Sequence, residues 1–489
     1  MTRAAFYPRG ALSRRAVIDI WLIIEHCTWI SAISTIRMKI EELSQKVSAF
    51  LPEIFLIIGL PMVLFFIFAV PPFQVPDEYA HLLRADQLSY GDMIGTRLND
   101  TSSGGFVEAS YRLLYESFET PGDAKDKIEK ADTIPLTGIR EFSSFPNTVR
   151  YGPLTYIPQV AALVIARAAG IKAIQAFYLA RCFNAFAALV TAFLALRLAK
   201  RRRFLIFCTL TMPMALFLMG SVSQDALLIA GSALFLAITS PVFSAKRPPS
   251  AATYVVLVIL LIAVTWGRLP YIALGAVFLL RPFDGMRWRQ KEFQWWPRLA
   301  AIGFVVVSTV FWIRGIGDLN INMRPFVSAR EQTSFLLTHL QLIPEIAFNS
   351  LRQRGVLPEV FGVLGLLDIK LPLFFYAVAV IGVVSALALE TIPSCTLKAT
   401  ERAVIMSALL MGVEAVYLAG YLTWTPVGGL TVEGIEGRYF IPFILGLALV
   451  MPTAAPHLQK RLCPLVLILP LVAVVGAVVS IQAIIGRYY

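Results

Sequence analysis

The chain has 489 residues, 57% hydrophobic and only 15% charged, with a mean hydropathy of +0.71. Soluble domains carry roughly 25% charged residues, so this composition excludes a disordered chain, a secreted disulfide scaffold and a soluble nucleotide-binding enzyme. The net charge of +12 sits in short clusters between apolar blocks, which is how cytoplasmic loops of membrane proteins are marked, so no nucleic acid partner is expected.

Residues 1–37 hold a weak apolar stretch, Val17 to Ile36, interrupted by Asp19, Glu25 and His26. A charge at mid-span costs about 2.5–3.5 kcal/mol on insertion scales, so no stable crossing is expected there, and no small-residue cleavage site follows it. Met38 opens a charged amphipathic lead and reads as the biological start. Residues 1–52 then form a cytoplasmic segment, with 1–37 upstream of that start, and 53–489 form one membrane domain.

The first strong apolar block covers 53–70. The long polar stretch after it, 71–150, carries 13 Asp/Glu against 8 Lys/Arg, an acidic balance that places it outside. The segment 154–170 contains Pro158, Gln159 and Arg167. If it crossed, the cluster Arg197 to Arg203 would fall outside, so it is expected to lie in the interface within an outer loop of about 71–172. Further spans are expected at 173–198, 204–221, 224–243, 251–266, 269–281, 299–316, 373–390, 403–423, 439–455 and 464–485. With 53–70 these make about eleven transmembrane helices in an all-α polytopic fold, N-terminus inside and C-terminus outside, with a second outer loop at 317–372. No internal repeat is visible. The cysteines Cys27, Cys182, Cys208, Cys395 and Cys463 show no metal or CxxC spacing and read as buried thiols.

This topology puts several unusual residues on one face. PPFQVPDEYAH (71–81) ends the first span with prolines and delivers Asp77, Glu78 and His81 to the outer surface. Adjacent carboxylates could work as acid and base or hold a divalent cation; equally, Asp77 could cap a helix with Glu78 in its first turn. SVSQD (221–225) supplies Asp225. WGRLPY (266–271) supplies Arg268 and Tyr271, GLLDIKLP (365–372) supplies Asp368 and Lys370, and EGIEGRYFIP (433–442) supplies Glu436, Arg438 and Tyr439. Singly, each fits capping, snorkelling or interfacial anchoring. Together they can converge on one outer cavity, as membrane sites are built. The candidates are therefore Asp77 and Glu78 as catalytic carboxylates, with His81, Asp225, Arg268, Tyr271, Asp368, Arg438 and Tyr439 binding substrate. Arg268 and Arg438 are the best phosphate holders, since a guanidinium presents a rigid bidentate fork; Arg324 and Arg330 are weaker ones. His26, His339 and His457 lack zinc spacing. The Gly-Gly pairs at 104–105 and 428–429 read as loop glycines. Charged residues within the spans are few, chiefly Arg181 and Glu414, which favours surface chemistry over transport.

PPFQVPDEYAH, YGPLTYIPQ (151–159), Arg181 with Asn184, SVSQD, GRLPY, GLLDIKLP and EGRYFIP resemble, in that order, the bacterial membrane family called domain of unknown function 2142. That family is similar to the GT-C superfamily of polyprenyl-phosphate-sugar glycosyltransferases. The resemblance implies interfacial helices in the first outer loop, a lipid-phosphate donor site between helices, and correspondence of Asp77, assisted by Glu78, to the superfamily's loop carboxylate. It implies a multi-pass protein of the cell membrane, active on its periplasmic or extracellular face, with membrane lipid, a prenyl-phosphate-linked sugar and a glycan or lipid acceptor as partners. Apart from the divalent cation, no cofactor is expected.

Overall fold

The computed structural model describes residues 14–119, 124–199, 202–243, 249–280, 285–286, 293–294, 296–321, 324–353, 355–392 and 397–489, with side chains omitted at 14–37, 124–125, 285–286 and 293–294. The side chains of residues 1–37, on which the expected upstream extension falls, lie outside the described ones. The architecture is predominantly helical. Among the described residues, six helices are long and apolar enough to cross a bilayer, and four shorter apolar ones accompany them.

Helix α1 (Arg14–Ala69) stops where Pro71 and Pro72 remove two backbone donors. The chain then builds a module set outside the helix bundle, called the outer module for that reason alone: α2 (Glu78–Ser89), strands β1 (Thr96–Asn99) and β2 (Ser102–Glu108), α3 (Ser110–Glu119), α4 (Ala124–Ala131) and β3 (Arg140–Ser144). The strands form one antiparallel sheet in the order β1-β2-β3. This sheet corrects the all-α expectation. It also corrects the reading of Gly104 and Gly105, which lie within β2; a Cβ on Gly104 would meet the Ser143 carbonyl oxygen at 1.9 Å, so the tight strand pairing requires glycine there. The module has its own core. Phe73, in the left-handed region at φ 66°, turns its ring into Tyr79, Tyr115, Phe118 and Phe177.

Helix α5 (Ile157–Ala168) packs between α2 and α6 (Ala173–Leu198). Its 12 residues span about 18 Å, short of the hydrocarbon thickness. Helix α6 buries a stripe of small residues, Ala176, Ala180, Asn184, Ala188, Ala192 and Ala195, and α9 (Asp225–Val242) answers with Ala226, Ala230, Ala233 and Ala237. Small side chains at helical spacing let two backbones approach closely.

Between them, the block expected as one span at 204–221 is two short helices, α7 (Phe204–Leu210) and α8 (Pro213–Met219). Pro213 lacks the donor needed to continue α7, and Met212 is extended at ψ 143°. Both pieces are buried throughout.

Helix α10 (Ala251–Gly267) leads into a 3-10 helix, Leu269–Leu279. The tighter winding rises about 2.0 Å per residue, so its 11 residues cover about 22 Å. Helix α11 (Trp296–Gly315) follows, then a second loop with α12 (Ala329–Thr338), α13 (Ile343–Leu351), α14 (Val356–Phe361) and a hairpin of two-residue strands, Val363–Leu364 with Ile369–Lys370. Helices α15 (Leu373–Leu389), α16 (Ala399–Thr423), α17 (Ile441–Val450), α18 (Pro456–Leu462) and α19 (Ile468–Tyr488) complete the bundle.

The bundle has two chemically different ends. At one, α1 finishes, α9 begins, α10 and α16 finish, and the 3-10 turn Gly437–Phe440 begins. At the other lie Arg202, Arg203, Lys398, Arg402, Lys460 and Arg461. There Arg202 donates to the carbonyls of Ala448 and Met451, and the Leu205 amide donates to Glu390 at 2.9 Å.

Candidate functional site

Asp77 occupies the N-cap position of α2, yet its side chain caps nothing and its backbone is left-handed at φ 59°. An L-residue other than glycine adopts that conformation at a cost, least for Asn and Asp. The carboxylate instead turns away from the helix. Asn147 donates to its Oδ1 at 2.8 Å and Arg438 Nη2 donates to its Oδ2 at 2.7 Å.

Arg438 is the hub of an ion-pair knot. Its Nε lies 3.0 Å from Asp225 Oδ2 and its Nη2 lies 2.8 Å from Glu436 Oε2. Arg268 reaches the other oxygen of Asp225 at 3.2 Å and stacks over the Tyr439 ring at 3.5 Å. Three carboxylates thus share two guanidiniums. Burial pushes the Glu436 carboxyl up from its ordinary value, against the pull of Arg438.

The framework behind the knot is built from the sequence motifs. Gln159 donates to Asn184 at 2.9 Å, and Asn184 holds the carbonyls of Ser221 and Ser223 at 2.7 and 3.0 Å. Thr155 donates to Gln224, whose amide donates to the Gly267 carbonyl. These bonds fix the turn that presents Asp225 and the corner that presents Arg268. His81 contributes in the same way: its Nδ1 lies 2.6 Å from the Tyr156 hydroxyl and its ring stacks on Tyr151. Burial pushes the imidazole down to about 4, so it is neutral at physiological pH. Tyr271 donates to the Tyr439 carbonyl at 3.1 Å.

The knot borders a cavity of about 380 Å³ whose walls include Asp77, Asn147, Arg150, Tyr151, Trp266, Arg268, Trp312, Asn320, Arg324, Trp424, Glu436 and Tyr439. Trp266 and Trp312 stack at 4.9 Å and 13°. A second cavity, of about 230 Å³ and lined by apolar residues and glycine, continues along four elements that also line the first: α10 (Leu261), α11 (Ile302, Val305, Val306), α16 (Ala408) and the 3-10 helix (Ile272 to Leu279).

Of the residues expected at a site, Asp77, Arg268 and Tyr439 face the main cavity. Asp225, Arg438, His81 and Tyr271 stand behind them, buried and bonded to that wall. Arg438, expected to hold phosphate, is engaged by carboxylates and sits off the cavity wall.

Glu78 is placed differently from its expected catalytic position. It has no exposure and forms a bidentate pair with Arg181, both contacts at 2.8 Å, while the Phe73 and Val222 amides donate to it at 3.1 Å. Arg181 also donates to the Ile67 and Val70 carbonyls. The pair seals the end of α1. Asp368 lies apart from the knot and pairs with Arg487 at 3.2 Å. Arg324 pairs with Glu433 at 3.1 Å and lies 4.8 Å from the Trp424 ring centre; Arg330 is exposed and does not line the cavity. Among the described residues no group of three or more His, Cys, Asp or Glu is disposed to hold a metal ion.

Asn147 and Arg150 went unforeseen. They lie in an irregular turn with no periodic pattern, and only the fold brings them to Asp77.

A family model matches residues 60–447, and its description is a predicted membrane protein, DUF2142. The chain belongs to the DUF2142 family. The matched range runs from α1 through α17 and so takes in the ion-pair knot and both cavities. No curated protein and no solved structure matches the chain.

Proposed function

We propose that this DUF2142 protein is a membrane glycosyltransferase of GT-C type, moving a sugar from a polyprenyl-phosphate donor to an envelope glycan or lipid acceptor. The observation that carries the reading is an ion-paired carboxylate that caps nothing, Asp77, facing a cavity that also presents a guanidinium and stacked aromatic rings. The apolar cavity along α11, α16 and the 3-10 helix supports a lipid-linked donor, whose tail would lie there.

In this reading Asp77 takes the proton of an acceptor hydroxyl while that oxygen bonds to the anomeric carbon. The bond from that carbon to the phosphate oxygen breaks, and the phosphate leaves with the electron pair. Attack opposite the leaving group inverts the anomeric centre. A general base contributes about 10²–10⁴-fold. Arg268, whose Nε is buried without a partner, neutralises the departing phosphate, a preorganised electrostatic contribution of the kind usually largest in such reactions. Arg438 orients Asp77 and keeps a positive charge beside it. A divalent cation remains part of the proposal only as a ligand brought with the phosphate.

Eleven passes fit the reading: the six long helices, the four shorter ones, and α7 with α8 as a broken eleventh. We place the basic end in the cytoplasm and the site on the periplasmic or extracellular face of the cell membrane. The rival is a carrier or flippase of lipid-linked glycans, favoured by the proximity of a polar and an apolar cavity; a non-catalytic partner in polysaccharide assembly is a third reading. Purified protein in proteoliposomes, given a radiolabelled prenyl-phosphate sugar, should move label to acceptor without tracer flux across the vesicle. Flux without transfer would overturn the enzyme reading.

A further inference from the structure

The cations around the main cavity are not equivalent. Arg438 is surrounded by Asp77, Asp225 and Glu436, Arg268 pairs with Asp225, and Arg324 pairs with Glu433. Arg150 alone among the cavity-lining arginines has no carboxylate partner among the described residues; its guanidinium donates to the neutral Asn320 side chain at 2.8 Å. A guanidinium lining a cavity, with only an exposed amide for company, is poised for an anion.

The surroundings strengthen that assignment. The knot holds one more carboxylate than guanidiniums, so a second anion is repelled from its Asp77 and Glu436 side and drawn toward Arg150. The Arg150 backbone is also pinned. Its carbonyl accepts from Trp312 Nε1 at 3.1 Å, and the next carbonyl, of Tyr151, accepts from the buried Arg84 at 2.8 Å. The Gly152 amide then donates to the Trp266 carbonyl at 2.9 Å. Trp266 and Trp312 are the stacked pair, and Trp266 stands two residues before Arg268. The backbones that carry Arg150 and Arg268 are therefore held at a fixed spacing by packing. Finally, one turn carries both Asn147, bonded to Asp77, and Arg150.

From this we infer that Arg150, with Asn320, forms a second anion subsite at the mouth of the cavity, and that the acceptor bears an anionic group, a phosphate or a carboxylate, near the hydroxyl that reaches Asp77. The assignment of this anion to the acceptor rests on the transferase reading, in which Arg268 takes the donor phosphate. The subsite itself requires only that the cavity bind anions.

Its test needs no turnover. Full-length protein in nanodiscs is titrated with sn-glycerol 3-phosphate and, separately, with glycerol, following the fluorescence of the tryptophans in the cavity wall. The phosphate should bind at least tenfold more tightly than glycerol. Arg150→Gln should weaken phosphate at least tenfold and leave glycerol within twofold, Arg150→Lys should recover part of the loss, and Arg112→Gln, on the outer module, should change neither. An Arg150→Gln protein with wild-type melting and wild-type phosphate affinity overturns the subsite, as does loss of affinity confined to Arg268→Gln. If the subsite holds while labelled sugar is never transferred, the transferase reading fails and the anion site stands.

Discussion

Asp77 and Glu78 are neighbours in the chain with opposite surroundings: the Asp77 side chain is 35% exposed beside the cavity, and that of Glu78 has no exposure at all. A group meant to exchange protons with substrate needs the first environment, and a group meant to hold helices together needs the second. Asp77→Asn keeps a side chain that tolerates the left-handed backbone, so protein level and melting temperature should match wild type while transfer of labelled sugar falls by about 10²–10⁴-fold. Undiminished turnover would remove Asp77 from the base role. Glu78→Gln strands the buried Arg181 charge and should cost about 3–5 kcal/mol, read as a clear drop in melting temperature in detergent. His81 sets a pH signature. Its folded-state pKa, about 4, lies below the ordinary value of 6.5, so its contribution is complete above pH 6.5 and is lost as pH falls toward 4. The stability gap between wild type and His81→Asn should move in the variant's favour by about 3 kcal/mol between pH 7 and pH 4. A gap that stays constant would mean that His81 is not held neutral by burial.

At the scale of elements, the Gly437 position shows how the ion-pair knot depends on backbone fit. A Cβ there would come within 2.2 Å of the Val356 carbonyl oxygen and 2.5 Å of the Val360 amide nitrogen, and neither can move without α14 moving. The Gly437 amide also donates to Glu359 at 2.7 Å. Gly437→Ala should therefore displace Arg438, lower stability by about 1–3 kcal/mol and loosen the hold on Asp77. Melting and transfer should fall together, and an unchanged melting curve would show that α14 yields freely. The sequence made most of the apolar elements visible, because a bilayer imposes length and composition on any crossing helix. It showed the break at Met212–Pro213 less well. Pro213 was there to read, but the apolar block 204–221 averages over it. The sheet β1-β2-β3 was hidden for a different reason: its middle strand is polar and glycine-bearing and owes its place to pairing with β3 across residues 109–139. In the knot, Asp77, Arg268 and Tyr439 were legible as odd polar residues at apolar boundaries. Arg150 and Asn147 were not, since nothing local distinguishes a loop arginine that meets a cavity from one that meets water. Asp368 illustrates the converse, a boundary carboxylate that satisfies itself on Arg487.

For the whole molecule, membership of DUF2142 and the two chemically distinct bundle ends lead to a topology that labelling can check. Single cysteines replacing Arg97, on the outer module, and His457, at the basic end, should react with an impermeant maleimide from opposite sides of intact cells. Reaction of both from the same side would reject the proposed orientation. The stitching at the basic end has a mechanical consequence. Arg202 spans from the start of α7 to the last carbonyls of α17, Glu390 at the foot of α15 receives the α7 amide, and the Ala454 amide reaches the Thr391 carbonyl at 2.8 Å. Any rocking of one half of the bundle against the other would have to break these bonds, of which the Arg202–Ala448 and Leu205–Glu390 contacts are buried. Under the proposed transferase reading the vestibule needs no hinge at its floor, and its contents arrive and depart through the side or the top.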